Sequence, residues 1–446
     1  MSKTVKFRDQ FSASPEIAAR FPDLHPPLDA AAAVTEAHRC LNCFDAPCTT
    51  ACPTHIDVPK FIKKIATGNL EGSARTILEA NILGASCARV CPVDVLCEGA
   101  CVLHGYNKQP ISIAHLQRFA VESLYNSGSP LPFIPGPDTG RSVALIGAGP
   151  ASLACAAELR RRGIRAVIYD ARPLPGGLNT YGVAEYKLPL IESLHEIDML
   201  SQLGVEFHFD ITVDTTMLAK LEATHDAVFV GVGLGAIHQI GVDGEELSGV
   251  TNALDLIAGY KSGAITTAPD RVAIIGAGNT AIDAANAAVR LGAREVSIIY
   301  RRGPEQMPAF TSEYEHARQE GVRFLWRVKL LSIEGYGQVE AVRLCELEPS
   351  SDGSLLPKPE GAFTLPVDWV VLAIGQATQS AFLKNRVHIE HGRIVIDRRT
   401  GQTSNPKFFA GGDCVNGGRE VVDAVADGKR AGIGIAKWLE EQHAHA

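Results

Sequence analysis

Two stretches decide the fold: SVALIGAGPASLACAAELRRRG, Ser142–Gly163, and RVAIIGAGNTAIDAANAAVRLG, Arg271–Gly292. Each reads as a short apolar strand, a tight glycine turn and a helix. Each is followed by a second apolar run, AVIYD (Ala166–Asp170) after the first and VSIIYRR (Val296–Arg302) after the second. A βαβ unit that occurs twice predicts two doubly wound α/β domains.

The glycines explain themselves chemically. In the first unit Gly147 allows the turn, and Gly149 lets a pyrophosphate approach the backbone where Pro150, Ala151 and Ser152 open the helix. Free N–H groups and the helix dipole favour an anion there. Ser152 stands where the pattern carries its third glycine; it is small enough for close packing. Asp170 follows Gly147 by 23 positions, where a carboxylate accepts from a ribose hydroxyl. Pro175-Gly176-Gly177 and Leu178 extend the same candidate site. The distal Gly411-Gly412-Asp413 points to FAD, with Asp413 offered to the ribityl hydroxyls.

The second unit, Gly276, Gly278, Asn279 and Thr280, has the same mechanics. Its second strand ends in Tyr300-Arg301-Arg302 and not in a carboxylate. Arginine pairs with a 2′-phosphate, so Arg301 and Arg302 favour NADP over NAD. WVVLAIG, Trp369–Gly375, with Gly375 as a further candidate cofactor contact, runs on through FFAGGD to a final helix. That segment is too short for a domain and is expected to return to the first one.

Before residue 140 no strand is expected. Residues 1–30 read as irregular, because Pro15, Pro22, Pro26 and Pro27 interrupt a helix. Helical patterns begin at Ala30 and continue over Val58–Thr67, Gly72–Ala80 and Ile113–Leu124. SGSPLPFIPGPDTG, Ser127–Gly140, reads as a linker. The expected division is 1–140 (helical module and linker), 141–262 (first segment of the FAD domain), 263–370 (inserted NAD(P) domain) and 371–446 (second FAD segment).

Eight of the eleven cysteines lie in the helical module. Cys40, Cys43, Cys48 and Cys52 read C-x2-C-x4-C-x3-C-P; Cys87, Cys91, Cys97 and Cys101 read C-x3-C-P-x4-C-x3-C. Zinc sites commonly draw on paired C-x2-C knuckles, and there is one such pair here. The Cys-Pro ending is shared with the bacterial ferredoxin run, whose fourth cysteine binds the other cluster. Beside a flavin domain the module is expected to hold two [4Fe–4S] clusters. Spacing alone leaves the division of the second group open. The competing reading is a non-enzymatic scaffold with structural zinc.

Composition fits this picture. The chain has 446 residues, 46% hydrophobic, with a net charge of −8 and no basic block, which argues against nucleic acid or an anionic membrane as partner. The polar N-terminus, MSKTVKFRDQFSASPE, has no secretory character, and no apolar run is long enough for a bilayer. A cytoplasmic protein is expected, in which dense cysteines are ligands and not staples. EEQHAHA, at the C-terminus, reads as a frayed tail.

The order of cysteine module, GAGPAS, PGG, YGVAEYKLP (Tyr181–Pro189), GAGNTA, YRR and AGGD resembles the flavin-dependent NAD(P)H:acceptor subunits. These include glutamate synthase small subunits and the N-terminal half of dihydropyrimidine dehydrogenase. The resemblance covers nearly the whole chain. Five residues between Cys91 and Cys97, with NILGAS before and PISIAHLQRFA after, are similar to dihydropyrimidine dehydrogenase, in its bacterial small-subunit form.

The resemblance implies one cluster on Cys40, Cys43, Cys48 and Cys101, and another on Cys52, Cys91, Cys97 and the side chain of Gln117, with Cys87 a spare thiol. It implies that Lys187 and Leu188 pack near the flavin, although Val183-Ala184 replace the family's Ile-Pro pair. It also implies a partner that carries FMN and further clusters and reduces uracil or thymine, in a heterotetramer or larger assembly. The alternative within the family is a glutamate synthase small subunit or another NAD(P)H:acceptor flavoprotein. No catalytic acid or base is expected, since hydride transfer depends on positioning.

Overall fold

The computed structural model describes residues 6–10, 15–350 and 354–444. Readings that fall on residues 1–5, on 11–14 and on the last two residues of the C-terminal tail lie outside them.

The apolar runs form two parallel sheets. In the first the spatial order is Phe408–Ala410, Ala227–Val230, Ser142–Ile146, Arg165–Tyr169, Glu206–His208. In the second it is Val250–Asn252, Trp369–Leu372, Arg271–Ile275, Glu295–Tyr300, Arg323–Trp326. Strands buried on both faces need no polar alternation, which is why Val143–Leu145 and Val272–Ile274 are wholly apolar and buried.

Two expected boundaries move. Val250–Asn252 and the helix Ala253–Lys261 belong to the second domain, through pairing with Trp369–Leu372 and packing of Leu256, Ile257 and Tyr260 in its core. Trp369–Leu372 likewise pairs with Arg271–Ile275 and does not return to the first sheet. An apolar run announces a buried strand but not its sheet. The return to the first sheet is made later, by Phe408–Ala410. An antiparallel sheet not foreseen from sequence, Val328–Glu334, Ala341–Pro349 and Leu355–Pro366, covers the second domain.

The final helix, Val421–Ala444, crosses the fingerprint helix Pro150–Arg161 at close range. A side chain at Gly428 would collide with the Ala151 carbonyl, and one at Gly432 would come within 2.9 Å of Glu158. The expected frayed tail is helical as far as Ala444, since its backbone continues the ladder begun at Val421.

The cysteine module is helical, and no strand precedes Ser142 among the described residues. Its start is less irregular than expected. Pro15 opens a helix, Pro15–Arg20, because the first helical position needs no N–H. Ile17 and Phe21, four apart, then sink into the second domain's core, where Phe21 stacks on Tyr260 at 4.6 Å. The module meets the first domain through Glu196, on the helix Leu190–Ser201. Its carboxylate accepts from the N–H groups of Ala85 (2.7 Å) and Ser86 (3.1 Å), capping the helix Gly84–Val90. Burial pushes Glu196 up to about 7, against these bonds.

Candidate functional site

The first fingerprint is built by a strand that must turn at once into a helix. Gly147 has φ +92°, and a side chain there would come within 2.6 Å of the Gly231 carbonyl. Gly149 differs: its backbone is extended, and a Cβ would meet nothing within 4 Å. Packing does not require glycine at 149; open space in front of the helix N-terminus is what its missing side chain preserves. That is the cradle a pyrophosphate needs.

This cradle opens into a cavity of 990 Å³ lined by Gly147, Gly149, Pro150, Ala151, Asp170, Gly177, Leu178, Lys187, Gly412 and Asp413. Ser152 is not in the wall. It is fully buried, and a Cβ on Gly231 would strike its hydroxyl, so it serves the close packing expected of a third glycine. Asp170 does more than expected. Its Oδ2 accepts from Ala148 N–H (2.6 Å) and its Oδ1 from Arg172 N–H (2.8 Å), so it braces the fingerprint loop from within the cavity wall. Burial raises the pKa of Asp170, and likewise of Asp413, whose Oδ1 accepts from Arg419 N–H.

Around the second fingerprint Gly276, Gly278, Thr280, Arg301 and Gly375 line a cavity of 640 Å³. Gly278, like Gly149, has open space where a Cβ would stand. Gly278, Thr280 and Gln376 line the larger cavity as well, together with Asn279, so the two sites converge. Asn279 Oδ1 accepts from Phe310 N–H at 3.0 Å. Arg302 lines neither cavity; its carbonyl accepts from Arg327 N–H. Of the two arginines, only Arg301 faces a site.

The loop YGVAEYKLP is where the two domains grip each other. Tyr186 is fully buried and donates to Asp283 (2.9 Å) on the second fingerprint helix. Lys261, buried in the second domain, donates to the Val183 and Leu188 carbonyls, both at 2.8 Å. Leu188 is thus a buried anchor and not a wall residue. Lys187 does reach the cavity, with Nζ 2.7 Å from Asp283 and 2.7 Å from Glu313. Burial opposes its charge, but the two carboxylates overcome this and hold its pKa above the usual value.

The cysteines gather in two neighbourhoods, which adjoin where Cys97 lies within electrostatic reach of Cys48. Cys40 lies within electrostatic reach of Cys43 and Cys101, and Cys48 within reach of Cys40 and Cys101. Cys91 is hydrogen-bonded to Cys87 and interacts with Cys97 and Cys52. Burial pushes Cys48 up to about 11 and Cys97 to about 12; for Cys91 the Cys87 bond and burial act together. Such thiols ionise only when a cation compensates them, which is what iron or zinc would supply. Among the described residues no three His, Cys, Asp or Glu side chains converge on a single-ion site. Gln117, on the helix Ile113–Asn126, is buried and donates from Nε2 to the Gly84 carbonyl at 2.7 Å. That bond commits the amide nitrogen to the backbone, so that a metal could be met only by Oε1.

Cys91 and Pro92 are themselves part of the wall of the larger cavity, which therefore touches both the first fingerprint and the cysteine module. Sequence reasoning did not foresee this junction. It also missed Arg172, whose guanidinium lies 4.5 Å from the Tyr181 ring in the same wall, and the glycine loop Gly231–Gly235. The run GVGLG after AVFV was the available signal for the loop. Asp283 and Glu313, on helices, carried none.

Comparison with known proteins matches residues 17–129 to the family described as dihydropyrimidine dehydrogenase domain II, 4Fe-4S cluster, and residues 141–428 to pyridine nucleotide-disulphide oxidoreductase. The chain is 35% identical over 445 residues to the Escherichia coli glutamate synthase [NADPH] small chain, covering 94% of both chains. It is 36% identical over 423 residues to the E. coli NAD-dependent dihydropyrimidine dehydrogenase subunit PreT, covering 94% of this chain and 97% of that one. Among solved structures, Mycobacterium tuberculosis FprA in complex with NADPH shares the fold, with a TM-score of 0.56 at 21% identity over 68% of this chain and 86% of that one.

Proposed function

We propose that this chain, which belongs to the pyridine nucleotide-disulphide oxidoreductase family together with glutamate synthase small chains and PreT subunits, is the electron-input subunit of a dihydropyrimidine dehydrogenase. It oxidises NAD(P)H and passes electrons to a partner subunit that carries FMN and iron–sulfur clusters and reduces uracil or thymine. Hydride arrives as an electron pair, flavin divides the pair, and clusters relay single electrons.

The observation that carries the reading is the wall shared by the first fingerprint and Cys91-Pro92. It supports a first cluster on Cys52, Cys91, Cys97 and Gln117 beside the flavin, and a second on Cys40, Cys43, Cys48 and Cys101 beyond it. The residues have defined tasks here. Gly149 and the helix at Pro150 hold a pyrophosphate, Asp170 fixes the loop, and Lys187 with Asp283 sets the position of the nicotinamide side against the flavin side. The five-residue Cys91–Cys97 spacing favours the pyrimidine enzyme, and identity over 445 residues favours glutamate synthase as the second reading. A zinc scaffold would have no use for two open pyrophosphate cradles. No described helix is long and apolar enough to cross a membrane, and the assembly is proposed to be cytoplasmic.

Anaerobic affinity purification of the chain with its native partner tests the reading. Uracil-dependent oxidation of NAD(P)H by the complex, absent from the isolated chain, is expected. Oxidation dependent on glutamine and 2-oxoglutarate would replace it with the second reading, and uracil reduction by the isolated chain would overturn the separate partner.

The relatives' names divide between NADPH and NAD, and the wall of the smaller cavity favours NADPH through Arg301. Arg301→Ala is expected to raise KM for NADPH at least tenfold, about 1.4 kcal/mol, and to leave NADH within about threefold. Steady-state assays with both nucleotides check this; equal losses would remove the phosphate role. Arg302→Ala is expected to change neither.

A further inference from the structure

A proton has to leave the larger cavity, on the reading above. Hydride brings two electrons and one proton, while clusters accept electrons only. The balance is NAD(P)H plus two oxidised clusters giving NAD(P)⁺, one H⁺ and two reduced clusters. The electrons have the cysteine module; the proton needs side chains.

Where the two fingerprints converge, the titratable groups of the wall include Lys187, Asp283 and Glu313. Lys187 Nζ is held 2.7 Å from Asp283 Oδ1 and 2.7 Å from Glu313 Oε1. Asp283 Oδ1 also accepts from Tyr186. Glu313 Oε2 is buried and has no hydrogen-bond partner among the described residues. One helical turn further, His316 Nε2 is in the same condition, 3.7 Å from Glu320 Oε1. Glu320, the C-cap of the helix Thr311–Gln319, pairs with Arg290 at 2.9 Å and is partly exposed. Positions 313, 316 and 320 share one face of a helix. Two orphaned acceptors thus lie one helical turn apart on the face that carries Glu320.

We propose that Glu313 Oε2 takes up the proton in the cavity and that His316 passes it along this helix face to solvent at Glu320. The proton released in the cavity bonds to Oε2; that O–H breaks as the proton bonds to His316 Nε2, and that N–H breaks as it passes to solvent at Glu320, which restores both groups and needs no further oxidant or reductant. The charged groups that face Glu313 are Lys187, Asp283, Asp94 from the cysteine module and Glu420 from the segment before the final helix. Burial raises Glu313, Lys187 opposes this and Asp283 adds to it, so its affinity for a proton is above that of an exposed glutamate. Those that face His316 are Glu320, Arg290, Lys187 and Asp283, with burial keeping it neutral and able to accept. His25, which also lines the cavity, senses His316 weakly.

The test uses the holoprotein in anaerobic stopped flow, with Glu313→Gln and the conservative surface-side variant His316→Gln. Flavin reduction by NAD(P)H is read first. Reoxidation by ferricyanide is read next, with a pH indicator for the released proton. The expected result is reduction within about threefold of wild type, and proton release slowed at least tenfold in both variants, about 1.4 kcal/mol in the barrier. A transient protonated-carboxyl band in time-resolved infrared difference spectra during reoxidation is expected in wild type and absent from Glu313→Gln. Wild-type proton release in both variants would overturn the route. So would a Glu313→Gln variant that slows reduction alone, which would make Glu313 a nicotinamide contact. Flavin that neither NADH nor NADPH reduces would overturn both this route and the function from which it follows.

Discussion

Gly149→Val is expected to yield a folded protein without flavin. The reason is the contrast between two neighbouring glycines. Gly147 is needed by the fold, because its φ is +92° and its missing side chain admits the Gly231 carbonyl. Gly149 has φ −79° and ψ 177°, a backbone any residue adopts, and open space beyond. A valine there costs the fold little and fills the place of the pyrophosphate. Loss of bound flavin by at least about 90%, with a melting temperature near that of the wild-type apoprotein, is the expected pair of results; tenfold weaker binding corresponds to about 1.4 kcal/mol. Absorbance of the released cofactor and calorimetry measure both. Gly278→Val separates the two sites: flavin should stay and nicotinamide binding should fail. A Gly149→Val protein with full flavin would mean that the first fingerprint does not hold it.

Cys91→Ala has an equally large expected effect, on the relay and not on the hydride step. Of the eight cysteines in the module, Cys91 is the one that lines the larger cavity. Its loss should remove one four-iron cluster of two, halving iron from about eight to about four per chain. NAD(P)H should still bleach the flavin, while electron delivery to the partner falls at least about a hundredfold. Cys40→Ala should also halve the iron but leave the flavin-adjacent cluster in place, so the two variants differ in the flavin's rate of reoxidation. Gln117→Ala serves as a third arm. Full iron and an unchanged electron paramagnetic resonance spectrum of the reduced protein would remove Gln117 from the ligand set. Identical reoxidation in Cys91→Ala and Cys40→Ala would contradict the assigned order of the clusters.

The two nucleotide folds were legible because glycine spacing and apolar runs are local signals. The positions of Gly147, Gly149, Gly276 and Gly278 follow from strand–turn–helix sterics alone. The sheet membership of Val250–Asn252 and Trp369–Leu372 was not legible, since pairing partners lie about a hundred residues apart and any apolar run of that length suits either sheet. Pro15 misled for a related reason: the sequence shows a helix breaker, but the same ring is favourable at a helix's first position. The eight cysteines were visible, and the wall that joins Cys91 to the fingerprint was not, because it depends on how the helix Gly84–Val90 is capped by Glu196. Lys187 was found through resemblance; its partners Asp283 and Glu313 needed coordinates, since one carboxylate on an amphipathic helix looks like any other.

The central claim is that flavin and two iron–sulfur clusters share this one chain. Its most direct test is the metal, sulfide and flavin content of anaerobically purified protein. About eight iron, about eight acid-labile sulfide and one FAD per chain are expected, from two four-iron clusters beside one flavin. Zinc in place of iron, without acid-labile sulfide, would contradict it.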